Sequence, residues 1–277
     1  MRIVVTGASG LLGPYLLAAG AAHGTPIGLS RTGDVPCDLA DAGAVRATLA
    51  QLQPDLVVHA AGYTDVDGCE RDPERAELAN HLAAANIVSA LAPSATLVHI
   101  STDQVYPDHG APHREGNEAP VNAYGRSKLA GERAALAHPA TAVLRTNFFG
   151  ASRTAGRTSL SDFVTNSLRA GRPTPLFVDT WFSPLHMQTL ADLVFEVAQR
   201  GLRGVFNAGS RDGVSKRDFG HLVAQHLCLS TATAQDTSFR AAPHRAPRPA
   251  DLRMDVARLE AALGRSLPTL AAEVRHL

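Results

Sequence analysis

Short runs of Val, Ile and Leu alternate along the chain with longer stretches whose apolar residues recur every three or four positions. Arg2–Thr6, Pro26–Ser30, Asp55–His59, Thr96–Ile100 and Thr141–Arg145 read as buried strands. Between them, Leu11–Ala22, Leu39–Leu52, a segment opened by Asp72-Pro73-Glu74 and running to about Leu91, and Asn122–Leu136 read as helices. Pro14 falls in the first turn of its helix, where no amide donor is lost, and Asp38 or Asp41 stands near the start of the next helix as a cap. Strands apolar on both faces and joined by helices predict a parallel sheet covered on both sides. After Arg145 the rhythm weakens. Helices are expected at Ser161–Ala170, Met187–Arg200, Ser215–Leu227, Val256–Leu263 and Leu270–His276, short strands at Thr174–Val178 and Val205–Ala208, and a Pro/Arg-rich loop at 241–250. Two units are therefore expected, residues 1–150 and a smaller lobe, 151–277, interleaved with the first.

Composition narrows the function classes. Lys+Arg and Asp+Glu both total 26 in 277 residues, so no global field calls for nucleic acid or an anionic membrane. Cys37, Cys69 and Cys228 are widely spaced and without a Cys-x-x-Cys, which reads as reduced thiols in a cytoplasmic protein. The first strand begins almost at residue 1, leaving no room for a signal peptide, and no apolar run approaches the ~20 residues of a membrane span. His109 and His113 are four apart but in a Pro/Gly loop, so no metal site is expected.

Gly7-x-x-Gly10-x-x-Gly13 follows a strand and opens a helix. In that context one glycine allows the tight turn, one the approach of a pyrophosphate, and one close helix–strand packing, with the phosphates facing the helix N-terminus. Gly7, Ser9, Gly10, Leu11, Leu12 and Gly13 are accordingly candidate dinucleotide contacts in a Rossmann-type, doubly wound α/β fold. The second strand runs out at Leu29-Ser30-Arg31-Thr32, with no carboxylate until Asp34. Ser30 and Arg31 suit a 2′-phosphate, which favours NADP(H) over the alternative, NAD(H); Arg31 as a solvated loop charge is the plainer reading. Asp38 suits either the adenine amino group or a helix cap. Ala60, Ala61 and Gly62, small residues after the third strand, leave room for the cofactor, and His59 reads as a packed strand residue.

Tyr124 and Lys128 stand four residues apart, one turn of a helix, which puts phenol and ammonium on one face. A free Tyr has a pKa near about 10, and a neighbouring ammonium favours the phenolate. Ser101-Thr102-Asp103-Gln104 brings hydroxyls to the C-terminal end of the fourth strand, the end at which open parallel sheets bind ligands. These segments, with His59-Ala60-Ala61-Gly62-Tyr63-Thr64-Asp65-Val66-Asp67 and Leu144-Arg145-Thr146, resemble the extended short-chain dehydrogenase/reductase superfamily. Within it the chain looks most like the dTDP-4-dehydrorhamnose reductases and is also similar to the regulatory subunit of methionine adenosyltransferase.

The resemblance implies a catalytic set of Thr102, Tyr124 and Lys128. Tyr124 would give its proton to a carbonyl oxygen, Thr102 would hold that oxygen, and Lys128 would hold the nicotinamide ribose; Ser101 is a rival for the hydroxyl role. Relatives that dehydrate sugar nucleotides carry Thr-Asp-Glu where this chain has Thr102-Asp103-Gln104. Gln104 cannot move a proton, which favours simple ketoreduction. Tyr63, Thr102, Asp103, Gln104, Asn147, Trp181 and Arg248 are the candidate substrate contacts. Asp179 and Pro184 keep a pattern of rhamnose-type reductases from which Thr180, Phe182 and Leu185 depart. Trp181 suits sugar or base stacking as well as core packing, Arg248 a substrate diphosphate, Arg145 structural pairing, and Asn80 a structural or water-binding role. The expected activity is NAD(P)H-dependent reduction of a keto group on a nucleotide-activated deoxysugar, by a homodimer on the analogy of the superfamily. The alternatives are a sugar-nucleotide epimerase, a reductase of another carbonyl, and a non-catalytic nucleotide-binding regulatory subunit.

Overall fold

In the computed structural model, which describes residues 1–32, 35–241 and 246–277, six of the expected strands assemble, with an unexpected two-residue one at Val35–Pro36, into one parallel sheet. The strand expected at Thr174–Val178 pairs instead, as Thr174–Phe177, with Ala234–Thr237 in a separate sheet. The strands of the parallel sheet are β1 (Arg2–Thr6), β2 (Thr25–Ser30), β3 (Val35–Pro36), β4 (Leu56–His59), β5 (Thr96–Thr102), β6 (Thr141–Thr146) and a seventh strand, Gly204–Ala208. Their spatial order is seventh–β6–β5–β4–β1–β2–β3, every pair parallel. The chain winds outward from β1 to β3, then returns to β4 on the other side of β1. The C-terminal ends of β1 and β4 therefore flank a topological switch point, where connecting loops diverge and leave a crevice. Asp34 and residues 242–245 of the Pro/Arg-rich loop lie outside the described residues.

Alternation within each strand builds two cores. Ile3, Val5, Leu56, Val58, Val98 and Ile100 face α1 (Gly13–Gly20) and two helices from late in the chain, Met187–Gln199 and Ala257–Leu263. Val4, Val57 and Leu97 face the opposite side, with Leu49 of α2 (Ala42–Leu52) and Ile87 of a later helix. A third cluster gathers Phe149, Val164, Leu168, Leu176, Phe182, Phe219, Val223, Leu270 and Val274 from short strands and helices after β6. Asp41, not Asp38, caps α2, its carboxylate accepting the Gly43 and Ala44 amides at 2.8 and 3.0 Å. Among the described residues no helix is long and apolar enough to cross a membrane.

The segment after β4 departs from expectation. A six-residue helix, α3 (Val66–Arg71), precedes Asp72; it is too short for a 3.6-residue period to register. The single helix expected from Pro73 to Leu91 is instead α4 (Pro73–Ala76), a π-helical turn (Glu77–Leu82) and α5 (Ala83–Ala90). The widened turn sets the buried Asn80 carboxamide across a gap. Its oxygen accepts the Tyr63 N–H at 2.8 Å, and its nitrogen donates to the Tyr63 carbonyl at 3.0 Å and to Ser127 at 2.9 Å. Those bonds tie the loop after β4 to α6 (Ala123–Ala135), the helix that carries Tyr124 and Lys128.

Candidate active site

A cavity of about 550 Å³ occupies the switch-point crevice. Its lining runs from Ser30, Arg31 and Asp38 through Gly7, Ser9, Gly10, Leu11, Leu12 and Gly13, and past Ala60, Ala61, Gly62 and Tyr63, to Tyr124 and Lys128. All the expected cofactor contacts therefore lie along one continuous space. The glycine loop is a cradle that side chains would fill. Gly7 sits at φ +71°, and a Cβ there would stand 2.7 Å from the Ala61 nitrogen; at Gly13 it would stand 2.3 Å from the Ala8 carbonyl oxygen. Small residues are what let β1, α1 and the end of β4 close around this space. The residues present fit a dinucleotide: a bare backbone cradle at a helix N-terminus, a cation at the end of β2, and a Tyr/Lys pair at the far end.

α6 is fastened at its first turn. Asn122 accepts the Gly125 amide at 2.8 Å, and Glu70 of α3 accepts the Ala123 amide at 2.8 Å. Tyr124 and Lys128 are both buried, and Lys128 Nζ donates to the Ile100 carbonyl at 2.7 Å. Burial brings the Lys128 ammonium down to about 8, against the opposing charge of Glu132 one turn along. Burial also pushes the Tyr124 phenol above its ordinary value, a hydrogen bond with Thr102 acting the other way. Desolvation, with the Asp103 charge adding to it, therefore sets the direction of the Tyr124 shift, opposite to the acidification expected from Lys128. His59 hydrogen-bonds the Thr6 hydroxyl at 2.7 Å, and burial holds it down to about 3, so it is a neutral strand residue at pH 7.

The expected substrate residues divide. Tyr63 lines the cavity, with the Arg75 guanidinium 4.2 Å from its ring centroid. Thr102, Asp103, Gln104 and Asn147 form a hydrogen-bonded set at the end of β5. Thr102 donates to Asp103 at 3.2 Å and accepts the Gln104 amide at 3.2 Å, while Asn147 donates to Asp103 at 2.8 Å. Burial pushes the Asp103 carboxyl up to about 6, against the pull of the Asn147 hydrogen bond and the Lys216 charge. Gln104 accepts from Asn122, which also holds the Pro247 carbonyl at 2.9 Å.

Of the expected substrate residues only Tyr63 lines the cavity; Thr102, Asp103, Gln104, Asn147, Trp181 and Arg248 lie outside its lining, whereas the rival hydroxyl residue Ser101 is part of it. Arg248 makes a two-pronged pair with Asp67, at 2.9 and 3.0 Å, so the cation expected to face a diphosphate is engaged by a carboxylate. Trp181 is 36% exposed, with the Arg253 guanidinium 5.0 Å from its ring centroid, and so is a surface aromatic rather than a core one. Arg145 is structural: it pairs with Glu132 at 2.6 Å and with Glu118. Phe148 and Arg157 line the cavity without having been expected there. Both return to it from beyond β6, and no local pattern marks such a long-range return.

Comparison with known proteins agrees with this geometry. The chain is 32% identical to a probable low-salt glycan biosynthesis reductase, Agl14, of Haloferax volcanii, over all of this chain and 97% of that one. It is 33% identical to a dTDP-4-dehydrorhamnose reductase of Mycolicibacterium smegmatis, over 90% of this chain and 76% of the relative. A dTDP-4-dehydrorhamnose reductase of Bacillus anthracis, solved in complex with NADP, shares the fold with a TM-score of 0.91 at 21% identity, over 99% of this chain and 96% of that one. The model of the RmlD substrate binding domain matches residues 1–277, and the chain belongs to that family.

Proposed function

We propose that this protein reduces a keto group on a nucleotide-activated deoxysugar, with the 4-keto carbon of a dTDP sugar as the favoured target and NADPH as the favoured reductant. The observation that carries this reading is the single cavity joining the glycine cradle and Arg31 at one end to Tyr124 and Lys128 at the other. The activities named for the Haloferax and Mycolicibacterium relatives support the substrate class. Residues 1–150 would bind the dinucleotide and 151–277 the sugar nucleotide. When bound, NADPH supplies the hydride. Tyr124 gives its proton to the carbonyl oxygen, as its protonated, pKa-raised phenol allows. Thr102 has one hydroxyl proton, now directed at Asp103. Turning it toward the substrate oxygen leaves Asp103 held by Asn147. Gln104, which cannot exchange a proton, keeps the reaction at reduction without elimination.

The test is oxidation of NADPH and of NADH by the purified protein with a dTDP-4-keto-6-deoxy sugar. Turnover with a preference for NADPH is expected. Binding of NADPH without turnover on this substrate would reject the activity while leaving the cofactor site standing.

Lys128 sets an expected pH dependence. Its ammonium is charged below about 8 and neutral above it. Loss of that charge removes a cation that favours developing phenolate. The rate of reduction at saturating substrate is therefore expected to be level up to pH 7 and to fall through pH 8–9. A profile still level at pH 10 would show that Lys128 is not the titrating group.

A further inference from the structure

The segment between Phe149 and α7 (Leu160–Arg169) crosses the glycine loop and is fastened to it. Tyr15 of α1 donates its hydroxyl to the Ala151 carbonyl at 2.7 Å, and the Arg153 guanidinium lies 3.8 Å from the Tyr15 ring centroid. Thr154 donates its hydroxyl to the carbonyl of Gly10, the middle glycine of the cradle, at 3.0 Å. Ser152 braces the segment from within, its amide on Asp162 at 3.0 Å and its hydroxyl on the Thr154 carbonyl at 3.0 Å. A tight turn follows, closed by the Arg157 amide on the Thr154 carbonyl at 3.2 Å, and it brings Arg157 to the cavity wall. Arg157 is exposed and makes no ion pair or side-chain hydrogen bond among the described residues.

Among the described residues, four cationic side chains line the cavity: Arg31, Arg75, Lys128 and Arg157. Arg31 stands at the end of β2, Arg75 is stacked on Tyr63, and Lys128 is bound to the Ile100 carbonyl at the catalytic end. The cradle itself, Gly7 to Gly13, contains no charged residue. Within the cradle, attraction for an anion comes from uncharged donors and from the α1 N-terminus, worth roughly half a charge.

We infer that the strap 150–159 delivers Arg157 to the cofactor's pyrophosphate, making it a binding residue for the part of the dinucleotide that NADPH and NADH share. This rests on the dinucleotide reading of the cavity. A guanidinium suits the site because its planar fork can donate to two phosphate oxygens at once. Anchoring at Gly10 and Tyr15 pre-positions it, so little is lost in ordering the segment when the anion arrives.

The test is calorimetric titration of NADPH, NADH and dTDP into wild type, Arg157→Ala and Arg31→Ala. Arg157→Ala is expected to weaken NADPH and NADH by the same factor, about tenfold, the size of one charge-assisted hydrogen bond, and to leave dTDP unchanged. Arg31→Ala is expected to weaken NADPH alone. Unaltered affinity of Arg157→Ala for both dinucleotides overturns the assignment. A loss confined to NADPH would give Arg157 to the 2′-phosphate, and a loss on dTDP would give it to the substrate; either also overturns it. Wild type that binds neither dinucleotide would instead sink the cofactor reading beneath it. An unchanged melting temperature of ligand-free Arg157→Ala is the folding control.

Discussion

Tyr124→Phe is expected to lower the rate of carbonyl reduction by roughly 10²–10⁴-fold, the range for removing a positioned general acid. The affinity for NADPH should change by less than about threefold, less than one ordinary hydrogen bond is worth. The two effects separate because the ring and the hydroxyl do different work. The ring packs with Cys69, Ala76 and Ala123, and Phe keeps that packing; only the proton and its bond with Thr102 are lost. Single-turnover kinetics beside a direct titration measure both. A rate within tenfold of wild type would move the proton donor elsewhere. The first place to look would be Asp103, the buried carboxyl held up to about 6 beside Thr102.

The second large effect is on stability. Arg145 is only 2% exposed and is held by Glu132 through Nε at 3.0 Å and Nη2 at 2.6 Å, with Nη1 donating to Tyr106 at 3.0 Å. Glu132 also accepts the Ser101 hydroxyl. Glu132→Ala is expected to destabilise the fold by about 3–5 kcal/mol, because it strips a buried guanidinium of its main partner. A fall in melting temperature of roughly 10 °C should follow. Glu132→Leu combined with Arg145→Met is expected to recover part of that loss, since the buried charge and its fully buried partner go together and only the partly exposed Glu118 is left without its pair. If the double variant melts no higher than Glu132→Ala, the under-paired charge of Arg145 is not the cause. Glu132 also opposes the burial that lowers the Lys128 pKa, so Glu132→Ala should shift the alkaline limb of the activity profile to lower pH.

The sheet and the catalytic helix were legible because each rests on local signals: apolar runs for β1, β2, β4, β5 and β6, though not for the two-residue β3, glycines at a strand–helix junction, and a Tyr and a Lys one turn apart. Asn122 shows how local such signals can be, since cap and first turn are adjacent in the chain. Three things were not legible, each for a physical reason. The π-helical turn at Glu77–Leu82 exists for the bonds Asn80 makes to Tyr63 and Ser127, which are distant in sequence. Arg248 has the expected residue type, but its carboxylate partner, Asp67, lies 181 positions away, and no spacing rule links them. Arg157 sits in a polar loop of ordinary composition; only the anchoring of Thr154 on Gly10 gives its position meaning.

The seventh strand has a consequence for how the protein is made. Gly204–Ala208 covers the edge of β6, and the helices Met187–Gln199 and Ala257–Leu263 pack on a face of the sheet begun by the first six residues. During synthesis, β1 to β6 are therefore complete long before their last neighbour emerges. Until then β6 presents an unpaired edge of Ala142, Val143 and Leu144, the kind of edge that recruits other strands. A nascent chain paused near residue 150 is thus expected to be prone to strand pairing with other chains. Cutting there for expression is expected to yield a six-stranded sheet with one bare edge and one face stripped of two helices, rather than a free-standing nucleotide-binding module.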